Sequence, residues 1–215
     1  MAEVQLHGFD FENWIKKTFF ADFSVSYSSK WDVPAEFNGL VIVPEAFRHL
    51  PVSIKTCKNR CPIGFGDALR QFKIDEDFLL IVGFWEQSGG DKNFVAVEAV
   101  KVTASDWRNL FEPLTEAELR LLDSTIKNKE THYAEVRKTA KEIKQSFAPT
   151  KMILNPKIDS KSQRRLQCSL PFGVFWNDFI KRESDQNIEC SLFGKRVPNP
   201  FVSGARVFKP KVKLD

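Results

Sequence analysis

Residues Lys30 to Lys58 read KWDVPAEFNGLVIVPEAFRHLPVSIKTCK, and the fold turns on how this stretch is taken. It opens with an isolated acid, Asp32, at the mouth of an apolar run. Two extended segments follow, Leu40 to Val43 and Leu50 to Thr56. The second alternates as a half-buried strand does, so Ser53 and Lys55 point to one face and Val52 and Ile54 to the other. A lysine is unusual in a strand otherwise built for burial, because a desolvated ammonium needs a partner. If the strand at Asp32 and the strand at Lys55 are neighbours, the two residues meet at one end of a small sheet. An acid and an ammonium placed together there suit phosphate chemistry.

Working outward, Asp10 is a cap for a helix from about Phe11 to Phe20, with Phe11, Trp14, Ile15, Thr18 and Phe19 on one face. Glu12 sits at the border of that apolar stripe, within reach of the sheet edge. Beyond Lys55, residues Lys58 to Gly66 form a basic, turn-rich loop that contains Arg60. Asp67 then begins a short helix to Phe72, as a plain cap or as an acid directed at Asp32. Phe78 to Trp85 is a continuous apolar run and a central strand. A turn at Ser88–Asp91 leads to its hairpin partner, Asn93 to Thr103. Together these imply an α/β protein, a mixed β-sheet core flanked by helices.

Residues 1–112 form this core, and residues 113–215 a helical and basic C-terminal extension packed on it. Thr115-Glu116-Ala117-Glu118 is a capping box, from which a charged helical stretch runs to Phe147, as one helix or as two broken near Asn128–Lys129. Val174 to Lys181 reads as a short helix burying Phe175, Trp176 and Phe179.

Composition bounds the function. The 215 residues suit one ordinary domain, and 20 Phe against 2 Met point to an aromatic core. No apolar run approaches bilayer length, and the polar N-terminus is unlike a signal peptide. With four scattered cysteines, the chain reads as an intracellular, cytoplasmic protein of prokaryotic type with reduced thiols. The sequence holds no Ser-His-Asp pattern and no phosphate-binding glycine loop.

Charge is uneven. Residues 151–215 carry 13 Lys and Arg against 6 Asp and Glu, although the whole chain nets only +4. A basic third points to a polyanion partner. The segment Lys157 to Gln167 is crowded with donors: Gln163, Arg164 and Arg165 have forked heads that can read base edges, whereas Lys161 suits phosphates. Lys195, Arg196, Arg206 and Lys209 carry further positive charge in loops or edge strands.

With Asp32, Ser53 and Lys55 in this layout, residues 8 to 103 resemble the PD-(D/E)XK nuclease superfamily, whose best-known members are type II restriction endonucleases. Trp31 stands where the family has Pro, and Ser53 where it has Asp or Glu; some members with Ser there take the missing carboxylate from a helix. The resemblance implies a Mg²⁺-dependent, sequence-specific endonuclease of double-stranded DNA, acting as a homodimer on palindromic sites. It implies Asp32, the Ile54 carbonyl and either Glu12 or Asp67 as metal ligands, with Glu36 as a further substitute. Lys55 would orient the attacking water, and Ser53 would contribute a hydrogen bond. Lys58, Arg60 and the basic third would contact DNA. A structure-specific or repair nuclease, or a non-catalytic DNA-binding module, are the alternatives.

Overall fold

The computed structural model describes residues 3–20, 30–181 and 190–207, with side chains from residue 8 onward. The chain is mixed α/β, and among the described residues no helix is long and apolar enough to cross a membrane. It divides into two compact units that interleave along the sequence. One holds residues 1–59, 81–99 and 184–215; the other holds 60–80 and 100–183.

The first unit contains helix α1 (Glu3–Phe19) and strand β1 (Val52–Lys58). β1 is an edge of a three-stranded sheet of order β1–β3–β4, where β3 is Phe78–Ser88 and β4 is Asp91–Val102. β3 and β4 run from one unit into the other. The apolar run at Phe78 is the central strand, and its hairpin partner follows a Gly89–Gly90 turn in which Gly89 takes φ +57°. Helix α1 starts at Glu3 rather than at Phe11, so Asp10 lies inside it, exposed, and caps nothing. Phe11, Ile15 and Phe19 are fully buried, as their spacing requires.

Gly83 on β3 lets this aromatic layer close. The Phe11 and Phe94 rings stack at 4.5 Å over it, and a Cβ there would stand 2.5 Å from Phe94 Cε1 and 2.8 Å from Phe11 Cζ. Residues 199–206 line the far edge of β4. Asn199 clamps both backbone groups of Phe94 at 2.9 Å, and Lys92 bridges Val202. This segment thus covers a sheet edge that would otherwise present open backbone donors and acceptors, and it belongs to the first unit.

In the second unit, β2 (Ile63–Asp67), β6 (Arg164–Leu170) and β5 (Ile153–Ile158) form an antiparallel sheet in that order. Among the described residues the strands form two three-stranded sheets and a small ribbon, β7 (Ser191–Leu192) with β8 (Lys195–Arg196). β2 lies within the expected loop; a bulge between Gly64 and Gly66 admits it to the sheet, with Gly66 at φ +78°. Helix α2 (Ala68–Phe72) follows, then α3 (Ala104–Asn109). Trp107 on α3 is wholly buried, donates to the Gln71 carbonyl at 2.9 Å and meets Phe65 and Phe78 edge-on.

The charged stretch is two helices, α4 (Glu116–Lys127) and α5 (Tyr133–Ser146), broken at Asn128, and Thr115 and Glu118 form the capping box. Leu119, Leu122, Ile126, Val136 and Ala140 are buried. Phe172–Val174 is a helical turn that continues as a π-helix over Phe175–Ile180; Phe175 is buried, whereas Trp176 and Phe179 are only half-buried.

Gly83→Ala is expected to force the two rings apart and to destabilise the chain by about 1–3 kcal/mol, the usual range for an overpacked core. A fall in the urea midpoint checks this; an unchanged midpoint would contradict the packing described.

Candidate active site

Asp32 and Lys55 meet. An antiparallel bridge joins Val33 to Val52, with Val52 N donating to Val33 O at 2.8 Å and Asp32 N to Val52 O at 3.0 Å. This places the Asp32 carboxylate beside the next residues of β1. Its Oδ2 accepts from Ile54 N at 2.6 Å and from Lys55 Nζ at 2.8 Å. The same ammonium donates to the Ile54 carbonyl at 2.9 Å. Side-chain exposures of 21% for Lys55 and 26% for Asp32 leave the pair open to a ligand yet mostly desolvated. Charge-assisted hydrogen bonds of this kind are worth about 1.5–3 kcal/mol. Ser53, two residues before Lys55, is buried at 8% exposure.

The connection between the acid and the lysine is not a strand. Pro34 and Pro44 each lead into a single 3₁₀ turn, Ala35–Phe37 and Glu45–Phe47. The carbonyls of Val41 and Val43, which a strand at Leu40–Val43 would use in a ladder, instead accept from the Arg48 guanidinium at 3.0 and 2.8 Å. Asn38, fully buried, donates from Nδ2 to the carbonyls of Phe47 and Leu50 at 2.7 and 2.8 Å and so closes the loop. These polar clips close the loop, and the Val33–Val52 bridge at its start holds Asp32 beside β1.

Each candidate for the further carboxylate has a local setting of its own. Among the described residues no group of three or more His, Cys, Asp or Glu gathers to hold a metal. Glu12 is ion-paired to Lys16 one turn along α1. Asp67 caps α2, accepting from Arg70 N at 2.8 Å. Glu36 is exposed on its 3₁₀ turn.

The expected DNA-contacting residues lie on several elements of the two units. Lys58 ends β1, exposed, and Arg60 is exposed in the following turn at φ 59°. Lys195 and Arg196 are exposed on the β7–β8 ribbon, whose turn residue Phe193 packs on Phe19 and Phe47 and so lies against the Asp32–Lys55 loop. Arg206 is exposed and its carbonyl accepts from Gln87. Lys209 lies outside the described residues. Lys161 and Gln163 are exposed in the β5–β6 loop, where Asp159 Oδ1 accepts from their backbone N–H groups at 3.0 and 2.8 Å. Those bonds, that of Gln163 foremost, hold the Asp159 carboxyl below its usual range.

Arg164 differs from its neighbours. Its guanidinium donates to the carbonyls of Asn128 and Thr131, at 3.1 and 3.2 Å, and so tethers the α4–α5 connection to β6. Two of its guanidinium nitrogens are thus engaged within the fold. One contributor escaped sequence reading: Asn38, whose importance lies in distant carbonyls.

The four cysteines are free thiols. Burial pushes Cys168 up to about 12; burial, then the Glu98 charge, pushes Cys190 up to about 11. Neither is a thiolate nucleophile near neutral pH.

Neither a protein-family model, nor a curated protein, nor a solved structure matches this chain.

Arg164→Ala is expected to lower stability by about 1 kcal/mol through the two lost carbonyl contacts while leaving affinity for duplex DNA unchanged. Denaturant titration and DNA-binding isotherms on the same variant check this; the opposite pattern would return Arg164 to the DNA-contacting set.

Proposed function

We propose that the chain is a Mg²⁺-dependent endonuclease of double-stranded DNA, of restriction type, acting as a homodimer. The observation that carries this reading is the meeting of Asp32 and Lys55 at the end of β1, with the Ile54 backbone between them. The order helix, two strands, helix, hairpin within the first 103 residues supports a restriction-endonuclease-like core around it.

The donor set fits a hard cation. The Asp32 carboxylate and the Ile54 carbonyl are both oxygen donors, and both already touch one positive charge, the Lys55 ammonium. Mg²⁺ is commonly held by one or two carboxylates, with waters and substrate phosphate completing the shell, so it does not require three protein acids. Asp32 and Ile54 would hold the ion, which supplies a lowered pKa for bound water and charge neutralisation at the phosphate.

The chain's own groups do the rest. Lys55 Nζ is within hydrogen-bond reach of both oxygens, so it is placed to donate to an attacking water or to a phosphate oxygen as charge builds. Ile54 N–H holds Asp32 in one orientation. Asn38 fixes the loop that sets the Asp32–Lys55 spacing. Lys195 and Arg196, on the ribbon packed against that loop, are placed to meet the DNA backbone.

Digestion of plasmid DNA with Mg²⁺ tests the reading. The native chain is expected to give discrete fragments, and Asp32→Asn and Lys55→Ala no cutting, with circular dichroism unchanged in both. Full cleavage by either variant would overturn the assignment. Nicking confined to branched or damaged substrates would redirect it to a structure-specific nuclease, and binding without cleavage by the native chain to a DNA-binding module.

A further inference from the structure

The two faces of the β5–β6 ribbon differ in kind. Leu154, Ile158, Leu166, Cys168 and Leu170 are buried on the side where α4 and α5 pack. On the other side Lys157 and Arg165 are exposed, and the register makes them direct cross-strand partners. Partners of that kind hold their Cβ atoms about 4.5–5.5 Å apart, where like charges repel and destabilise the sheet. Neither residue has an ion-pair partner among the described residues. A pair of positive charges set face to face, with no ion-pair partner among the described residues, costs stability unless an anion lies across it.

The surroundings favour a polyanion over a single ion. Residues 127–165, all in one unit, carry eleven Lys and Arg against four Asp and Glu, although the chain as a whole nets +4. Lys161 and Gln163 are exposed on the loop that joins the two strands. Two residues along the same face from Lys157 and Arg165 stand Asn155 and Gln167, half-buried amides. β2 pairs with β6 only from Gln167 to Leu170, so at Lys157 and Arg165 the two strands continue as a two-stranded ribbon, which fits the major groove of B-DNA, and Arg and Gln are side chains that can fork onto base edges. Asp67, opposite Gln167 on β2, puts a carboxylate at the other edge of the sheet. A phosphate backbone would therefore lie toward β5 and the loop, away from β2.

We propose that the outer face of the β5–β6 ribbon, centred on Lys157 and Arg165, docks duplex DNA. This rests on the duplex-DNA reading of the substrate but not on hydrolysis at Asp32.

The test is fluorescence anisotropy of a labelled random-sequence duplex, in Ca²⁺ and between 50 and 200 mM salt, with the native chain, Lys157→Ala, Arg165→Ala and the double variant. Each phosphate contact adds about 0.9 to the slope of log affinity against log salt, so each single variant is expected to lose about 0.9 and the double about 1.8. Melting temperatures are expected to stay level or rise, because the repulsion between the two strands is relieved. Loss of binding with an unchanged or higher melting temperature separates a docking role from a structural one. Unchanged affinity and slope in the double variant would overturn the proposal. So would unfolding of that variant, absence of salt-dependent binding by the native chain, or displacement of the duplex by poly-glutamate at equal charge. A chain that binds through this face and never cuts DNA would sink the active-site reading alone. One that cuts while the double variant binds normally would sink this one alone.

Discussion

One carboxylate oxygen organises the candidate site. Asp32 Oδ2 accepts both the Ile54 N–H and the Lys55 ammonium, so a backbone donor and a side-chain charge converge on a single atom. The alternation of β1 would otherwise leave Lys55 half-buried without a counter-charge. The Val33–Val52 bridge would otherwise be a two-residue contact at the end of a loop. Each part depends on the other: the bridge sets the carboxylate, and the carboxylate satisfies the lysine. Removing the acid would strand an ammonium and an N–H together, a larger loss than that of an exposed ion pair.

Much of this was legible because it is local. The Val52–Lys55 alternation, the apolar run at Phe78, the Ser88–Asp91 turn and the Thr115–Glu118 capping box are short-range signals, and each forms the element it predicts. What escaped is held by distant partners. The segment at Leu40–Val43 is apolar enough for a strand, yet Arg48 takes its carbonyls and Asn38 ties the loop to Phe47 and Leu50. β2 hides in a glycine-rich turn sequence because its partner, β6, lies about a hundred residues further on. No local pattern announces such a pairing.

Charge shows the same lesson in the second unit. Arg164 and Arg165 are adjacent in sequence and alike in chemistry, but strand alternation sends them to opposite sides. Arg164 is consumed by the carbonyls of the α4–α5 connection, whereas Arg165 stands exposed opposite Lys157. Charge counting gives both residues equal weight; only the register of β5 on β6 separates a tether from a contact. The basic character also extends into α5, so it follows the fold of this unit rather than the C-terminal third of the sequence.

The central claim is that the Asp32–Lys55 junction is a cation-assisted hydrolytic centre. Anomalous diffraction from crystals of the chain grown with Mn²⁺ and a duplex oligonucleotide tests it most directly. The account predicts an Mn²⁺ peak at about 2.0–2.2 Å from an Asp32 carboxylate oxygen, sharing its shell with the Ile54 carbonyl and a phosphate oxygen. Mn²⁺ ordered elsewhere on the chain, with the Lys55 ammonium still seated on Asp32 and DNA bound, would contradict it.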